Sequence, residues 1–208
     1  MSVNLRNIKK LAVIGCSGLV GSSILRCALE KGYEVNGTMR NIEDSTKINY
    51  LKKLKNFEKL NLFKAEMSNE NDFNFCLQDI STLFIACLVP TYKGFDGTLA
   101  KELDDKRGYN EIINPTVNGC INILKSAKQL DVENVVICSS TSSTNPIPPV
   151  LIKNEIDHWS DEIEQCKSKK YTSATKTIME KAAIKFCNDN NIRLSIILPT
   201  GLYGDALL

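Results

Sequence analysis

The sequence predicts an α/β fold, a doubly wound parallel sheet (a Rossmann fold), and three observations carry that prediction. Short runs rich in Val, Ile and Leu recur along the 208 residues. Amphipathic, helix-period stretches separate them, and an alternation of strand with helix implies right-handed crossovers and a parallel sheet covered on both faces. Three glycines, Gly15, Gly18 and Gly21, follow the first apolar run and open the first helical stretch.

Taken in order, "KLAVIG" is the first strand, and a helix covers about 20–31. "YEVNGTMR" is the second strand, "TKINYLKKL" a short helix and "LNLFKAE" the third strand. "ENDFNFCLQD" is helical, because its apolar residues recur at three- and four-residue spacing, and "TLFIACL" is the fourth strand. A loop over 89–105 leads into a long helix through "NEIINPTVNGCINILKSAKQL". "NVVICSS" is the fifth strand, an irregular segment with "NPIPP" follows, "SATKTIMEKAAIKFCNDN" is a helix and "RLSIILP" the sixth strand. No repeat or low-complexity linker interrupts this order, so residues 1–208 are expected to form one domain.

Composition narrows the function. A net charge of +2 without a block of either sign gives no footprint for nucleic acid or an anionic membrane. No apolar run approaches bilayer length, and the short N-terminal run reads as a strand rather than a leader. The eight cysteines lie in apolar segments without a C-x-x-C pair, which suits reduced thiols in the cytoplasm rather than disulfides or zinc. His158 is the only histidine, so a multi-histidine metal site is excluded.

In a doubly wound sheet the first strand–helix turn lies at the edge where nucleotides dock. Gly15 suits the tight turn, Gly18 the close approach of a pyrophosphate, and Gly21 the packing of helix on strand. Cys16 and Ser17 are small enough for the turn, and the N–H groups at the helix start, over Leu19 and Val20, face the phosphates. The second strand ends in "TMRN", with Arg40 where an acid would exclude a ribose 2′-phosphate. A guanidinium binds such a phosphate through parallel N–H···O bonds, which favours NADP(H) over NAD(H).

Several stretches together resemble the extended short-chain dehydrogenases/reductases, in the dihydroflavonol reductase and cinnamoyl-CoA reductase branch of the epimerase/dehydratase superfamily. They are "GCSGLVGS", "GTMRN", "LFKAE", "NEIINPTVNG", "NVVICSST", "EIDHWSD" and "KTIMEKAA", and the likeness runs from about Lys10 to Gly204. The resemblance implies reduction of a small-molecule aldehyde or ketone by NADPH, with a catalytic serine, tyrosine and lysine. Carried over, the serine is Ser140, polarising the substrate oxygen, with Ser139 as its competitor. The lysine is Lys176, which would hold the nicotinamide ribose. The resemblance further places Glu66 near the adenine, where the family usually has an aspartate, and adds Met67, Ala86, Cys87 and Pro199 to the cofactor-binding set with Ser17.

The tyrosine departs from the pattern. Family members carry it four residues before the lysine, where this sequence has Thr172, while Tyr171 stands five before Lys176. At about 100° per residue, four residues return to within about 40° of one face and five leave about 140°. Tyr171 is the expected proton donor if the helix begins after it, or if a π-bulge restores the facing. Otherwise the chain binds nucleotide with little or no catalysis. A sugar-nucleotide epimerase is a third reading, disfavoured by Arg40. Relatives continue beyond the equivalent of Leu208 into a substrate-binding lobe that is largely absent from this sequence. The substrate pocket is therefore expected from the 88–105 loop, the 141–168 segment and Tyr203, with a second copy or other partner chain as a possible wall.

Overall fold

The computed structural model describes residues 10–203. Six strands form one parallel sheet: β1 (Lys10–Ile14), β2 (Glu34–Met39), β3 (Leu60–Lys64), β4 (Thr82–Ile85), β5 (Asn134–Cys138) and β6 (Arg193–Ile197). Their spatial order is β3-β2-β1-β4-β5-β6, the doubly wound arrangement expected from the alternation. The chain winds outward from β1 to β3, then crosses back to place β4 beside β1, with Leu11 opposite Thr82 and Ile14 opposite Ile85.

Period-two alternation within β1 explains why both sheet faces are covered. Leu11 and Val13 join Val35, Leu25, Leu29 and Leu51 in one buried cluster, beneath α1 (Leu19–Glu30) and α2 (Ser45–Leu51). Ala12 and Ile14 point the other way, into a cluster with Leu83, Ile137, Ile123 and Met179, beneath α4 (Asn114–Gln129) and α6 (Tyr171–Asp189). A strand buried on both sides reads as a continuous apolar run, which is how "KLAVI" reads. Asp44 caps α2, its carboxylate accepting from the Thr46 and Lys47 N–H groups at 3.1 and 3.3 Å.

Two helical readings change. Residues 70–79 are a succession of turns rather than a helix, with Asn71 and Asp79 in the left-handed region at φ +72° and +59°. The periodicity was a true burial signal, since Phe73, Cys76, Leu77 and Ile80 all enter the core. The long helix starts earlier and is not uniform: α3 (Asp105–Arg107) runs into a π-turn over Gly108–Ile113 and then into α4. Pro115 has no N–H to give residue 111, and the Asn114 N–H instead bonds back five residues to the Tyr109 carbonyl.

Candidate active site

The strand ends bring the sequence-derived residues to one edge of the sheet. Gly15 follows β1, Arg40 follows β2, Glu66 and Met67 lie just past β3, Ala86 and Cys87 follow β4, Ser140 follows β5 and Pro199 follows β6. The carboxyl edge beside the β1–β4 reversal is where open α/β sheets bind ligands.

The glycine turn is fixed by its neighbours. Thr38 of β2 accepts from the Gly15 N–H through Oγ1 at 3.2 Å and from the Cys16 N–H through its carbonyl at 3.0 Å. The Tyr50 hydroxyl of α2 donates to the Ser17 carbonyl at 3.1 Å. Gly15 holds φ +81°, and a Cβ there would lie 2.6 Å from that of Cys87, so both conformation and space demand glycine. A Cβ on Gly21 would run into the Gly15 backbone, as tight helix–strand packing requires. Gly18 differs, because a Cβ there would meet only the Gly15 carbonyl oxygen, at an ordinary 3.6 Å. Chain neighbours aside, no other atom lies within 4 Å of that point, and no side chain caps the first turn of α1, which carries no acid. An open cradle in front of free N–H groups fits a pyrophosphate.

Around this cradle, Arg40 is exposed and its side chain makes no hydrogen bond or ion pair among the described residues. The loop after β3 is braced twice: Asp72 accepts from the Glu66 N–H at 2.9 Å, and Asn122 donates to the Met67 carbonyl at 3.1 Å. Ala86 donates its N–H to the Ile14 carbonyl, and burial pushes the Cys87 thiol up to about 12. Tyr203 is almost fully exposed and lines a surface pocket with Leu19, Val20, Ser23 and Arg26 of α1.

Ser140 caps a short 3₁₀ turn over Thr141–Ser143, its Oγ accepting from the Ser142 N–H at 3.3 Å. That bond leaves the hydroxyl hydrogen for another acceptor. The Pro199 carbonyl accepts from the Thr141 N–H at 3.1 Å, tying the end of β6 to this turn. Ser139, its competitor, is buried and donates to Glu180. Lys176 is 8 % exposed, and its ammonium donates to the Leu88 carbonyl at the start of the 88–105 loop. Burial lowers its pKa.

Tyr171 does not take the expected place. It is the first residue of α6, which is α-helical from there through Lys176, so neither a late helix start nor a π-bulge turns it toward the lysine. Its ring is fully buried among Leu103, Ile112, Ile113 and Ala174, and its hydroxyl donates to Asp105 Oδ1 at 2.8 Å. Burial, and then the Asp105 carboxylate, raise the phenol above its ordinary pKa, which strengthens its hold on its proton. Tyr171 is a structural bolt between α6 and α3. Thr172, half-buried, stands at the position that shares a face with Lys176. The ring sits where a Cβ on Gly108 would be, with Tyr171 Cε1 only 2.5 Å from that point. Gly108→Ala should therefore cost about 1–3 kcal/mol by overpacking, read as a lower denaturation midpoint at unchanged m-value.

Sequence reasoning missed the clasp on the 88–105 loop. Arg107 donates from Nε to Glu111 Oε1 at 2.7 Å and pairs through Nη2 with Asp96 at 2.8 Å, while Glu111 accepts from the Phe95 N–H at 2.8 Å. The hydrogen bonds from Arg107 hold the Asp96 and Glu111 carboxyls below their ordinary range. The i,i+4 spacing of Arg107 and Glu111 was the available signal. Glu180, four residues after Lys176 on a helix face that turns inward, is a second omission with the same kind of signal.

Comparison with known proteins places this geometry. The family model "NAD dependent epimerase/dehydratase family" matches residues 11–206. The bifunctional dihydroflavonol 4-reductase/flavanone 4-reductase of Malus domestica is 32% identical over 96% of this chain and 56% of its own length. Vestitone reductase from alfalfa (Medicago sativa L.) superposes with TM-score 0.65 at 26% identity, over 91% of this chain and 56% of the other. Yeast methylglyoxal/isovaleraldehyde reductase, solved with NADPH, shares the fold with TM-score 0.75 at 22% identity, over 96% and 60% of the two chains. The chain thus spans a little over half the length of these relatives. It belongs to the NAD dependent epimerase/dehydratase family, in the dihydroflavonol reductase-like branch of the extended short-chain dehydrogenases/reductases.

Proposed function

We propose that the protein is an NADPH-dependent reductase of aldehyde or ketone substrates. The observation that carries this reading is the open cradle over Gly18, set between Arg40 on one side and Ser140 and Lys176 on the other. When bound, the dinucleotide supplies a hydride for the carbonyl carbon. The free N–H groups of α1 receive the pyrophosphate, Arg40 the 2′-phosphate, and Glu66 and Met67 border the adenine. Ser140 polarises the carbonyl oxygen through a hydrogen bond from its hydroxyl, and the proton that completes the alcohol comes from water, since the Tyr171 phenol is engaged with Asp105. Lys176 keeps two N–H groups beyond its bond to Leu88, enough to hold the nicotinamide ribose.

A second reading, nucleotide binding with weak or no turnover, is favoured by the engagement of the Tyr171 phenol with Asp105. A panel of aldehydes and ketones, scored by NADPH consumption, separates the two. Turnover establishes the reductase, whereas tight NADPH binding without turnover establishes the binding protein. We further read the eight free thiols as suiting a reducing, cytoplasmic setting. No described helix is long and apolar enough to cross a membrane. A homo-oligomer, which sizing in solution would reveal, remains part of this proposal.

Cofactor choice gives a direct prediction. Charge-assisted bonds are worth about 1.5–3 kcal/mol each, so Arg40→Ala should weaken NADPH binding about 10- to 100-fold and leave NADH nearly unchanged. Calorimetric titration with both cofactors checks it, and an equal loss for the two would show that Arg40 does not read the phosphate.

A further inference from the structure

Among the described residues one carboxyl group is buried, and the mechanism leaves it unused. Glu180 is 2 % exposed, sits four residues after Lys176 on α6, and so shares its helix face. Its carboxylate accepts from the Ser139 hydroxyl. Ser139 and Ser143 bracket Ser140, and the Ser143 hydroxyl donates to the Ser140 carbonyl at 2.9 Å. One side chain therefore touches the turn that carries the serine and neighbours the lysine across the sheet-to-helix junction.

The groups acting on the Lys176 charge come from four places: Cys138 on β5, Glu180 on α6, Cys120 on α4 and Cys87 after β4. The thiols contribute little at neutral pH, because burial pushes those of Cys87 and Cys120 up to about 12 and raises that of Cys138. Among these groups Glu180 is the one carboxylate. Burial raises its own pKa, and the Ser139 and Ser143 hydroxyls and the Lys176 charge oppose that rise. It also lines a cavity of about 260 Å³ together with Glu155 and Trp159.

We propose that Glu180 is a positioning residue of this site, supplying the counter-charge of Lys176 and pinning the Ser139–Ser143 turn so that the Ser140 hydroxyl and the Lys176 ammonium stay in register. Its part in turnover rests on the reductase reading, whereas its electrostatic part is testable on the cofactor-free protein. Glu180→Gln keeps the shape and an oxygen for Ser139 but removes the charge. The titration of the Lys176 Nζ and Cε signals is followed by NMR in isotopically labelled protein, assigned with Lys176→Arg. The midpoint should fall by about one unit in Glu180→Gln, since the carboxylate no longer favours the ammonium. If the protein turns over a carbonyl, the alkaline limb of its rate profile should move to lower pH in step.

An unchanged Lys176 midpoint in a folded Glu180→Gln protein overturns the proposal. Absence of turnover in the wild type would remove the reductase reading while the NMR result still decides this one. Should Glu180→Gln fail to fold, Ser139→Ala takes its place. Loss of that donor should raise the Glu180 carboxyl midpoint, and an unmoved midpoint overturns the pinning.

Discussion

Thr172→Tyr should raise carbonyl reduction about 10²- to 10⁴-fold over the wild type, the usual contribution of a positioned general acid. Helix geometry carries this expectation. Residues 172 and 176 lie within about 40° of one face, whereas 171 and 176 are about 140° apart. Thr172 is half-buried, and its aliphatic hydroxyl is a far weaker proton donor than a phenol. Tyr171 must be left in place, because exchanging the two residues would also withdraw the ring that fills the space beside Gly108. The control is Tyr171→Phe. It should leave turnover within about twofold and reduce stability by about 1 kcal/mol, the net worth of one hydrogen bond. NADPH-consumption rates and urea unfolding of the two variants check both halves. A wild type with good turnover that Tyr171→Phe abolishes would return the proton-donor role to Tyr171.

Gly18→Val is expected to abolish nucleotide binding while sparing the fold. A side chain at residue 18 finds room against the protein, the nearest atom lying 3.6 Å from its Cβ, and fills the cradle that faces the free N–H groups of α1. Losing two such charge-assisted bonds, each about 1.5–3 kcal/mol, corresponds to about 10²- to 10⁴-fold in affinity. Gly21→Val should do the opposite, disrupting the fold itself, because its Cβ would strike the Gly15 backbone. Calorimetry with NADPH, beside thermal unfolding of both variants, separates the two outcomes. Wild-type affinity in Gly18→Val would move the nucleotide elsewhere.

What the sequence made legible was local or periodic. The six strands are short segments carrying buried apolar residues, and their alternation with helices dictates the parallel winding. Gly15 is readable as a turn glycine because it sits at the junction of two such patterns. The "ENDFNFCLQD" segment shows the limit, since its apolar spacing marks what is buried without fixing the hydrogen bonding, and residues 70–79 bury that face through turns. Tyr171 shows a different limit. Its spacing from Lys176 excluded a regular catalytic pair, but its actual partner, Asp105, is 66 residues distant in sequence, and the space for its ring comes from Gly108. Contacts of that range leave no periodic trace. Glu180 belongs to the same class, reached by Ser139 from 41 residues away.

The return of the chain to lay β4 against β1 has a consequence for how the molecule assembles. Strands β1 and β2 each pair with their immediate successor, but β1 and β4 meet at a separation of 71 residues, Leu11 with Thr82. Closing a loop of that length costs entropy before any contact repays it, and such pairings form late and slowly. The glycine turn belongs to the early half, whereas Cys87, which abuts Gly15, and Ser140 belong to the late one. A ligand held across that seam binds only the closed arrangement and so stabilises it by mass action. Nucleotide concentration should then govern the survival of the freshly made chain, with NADPH slowing proteolytic cleavage at the β1–β4 seam.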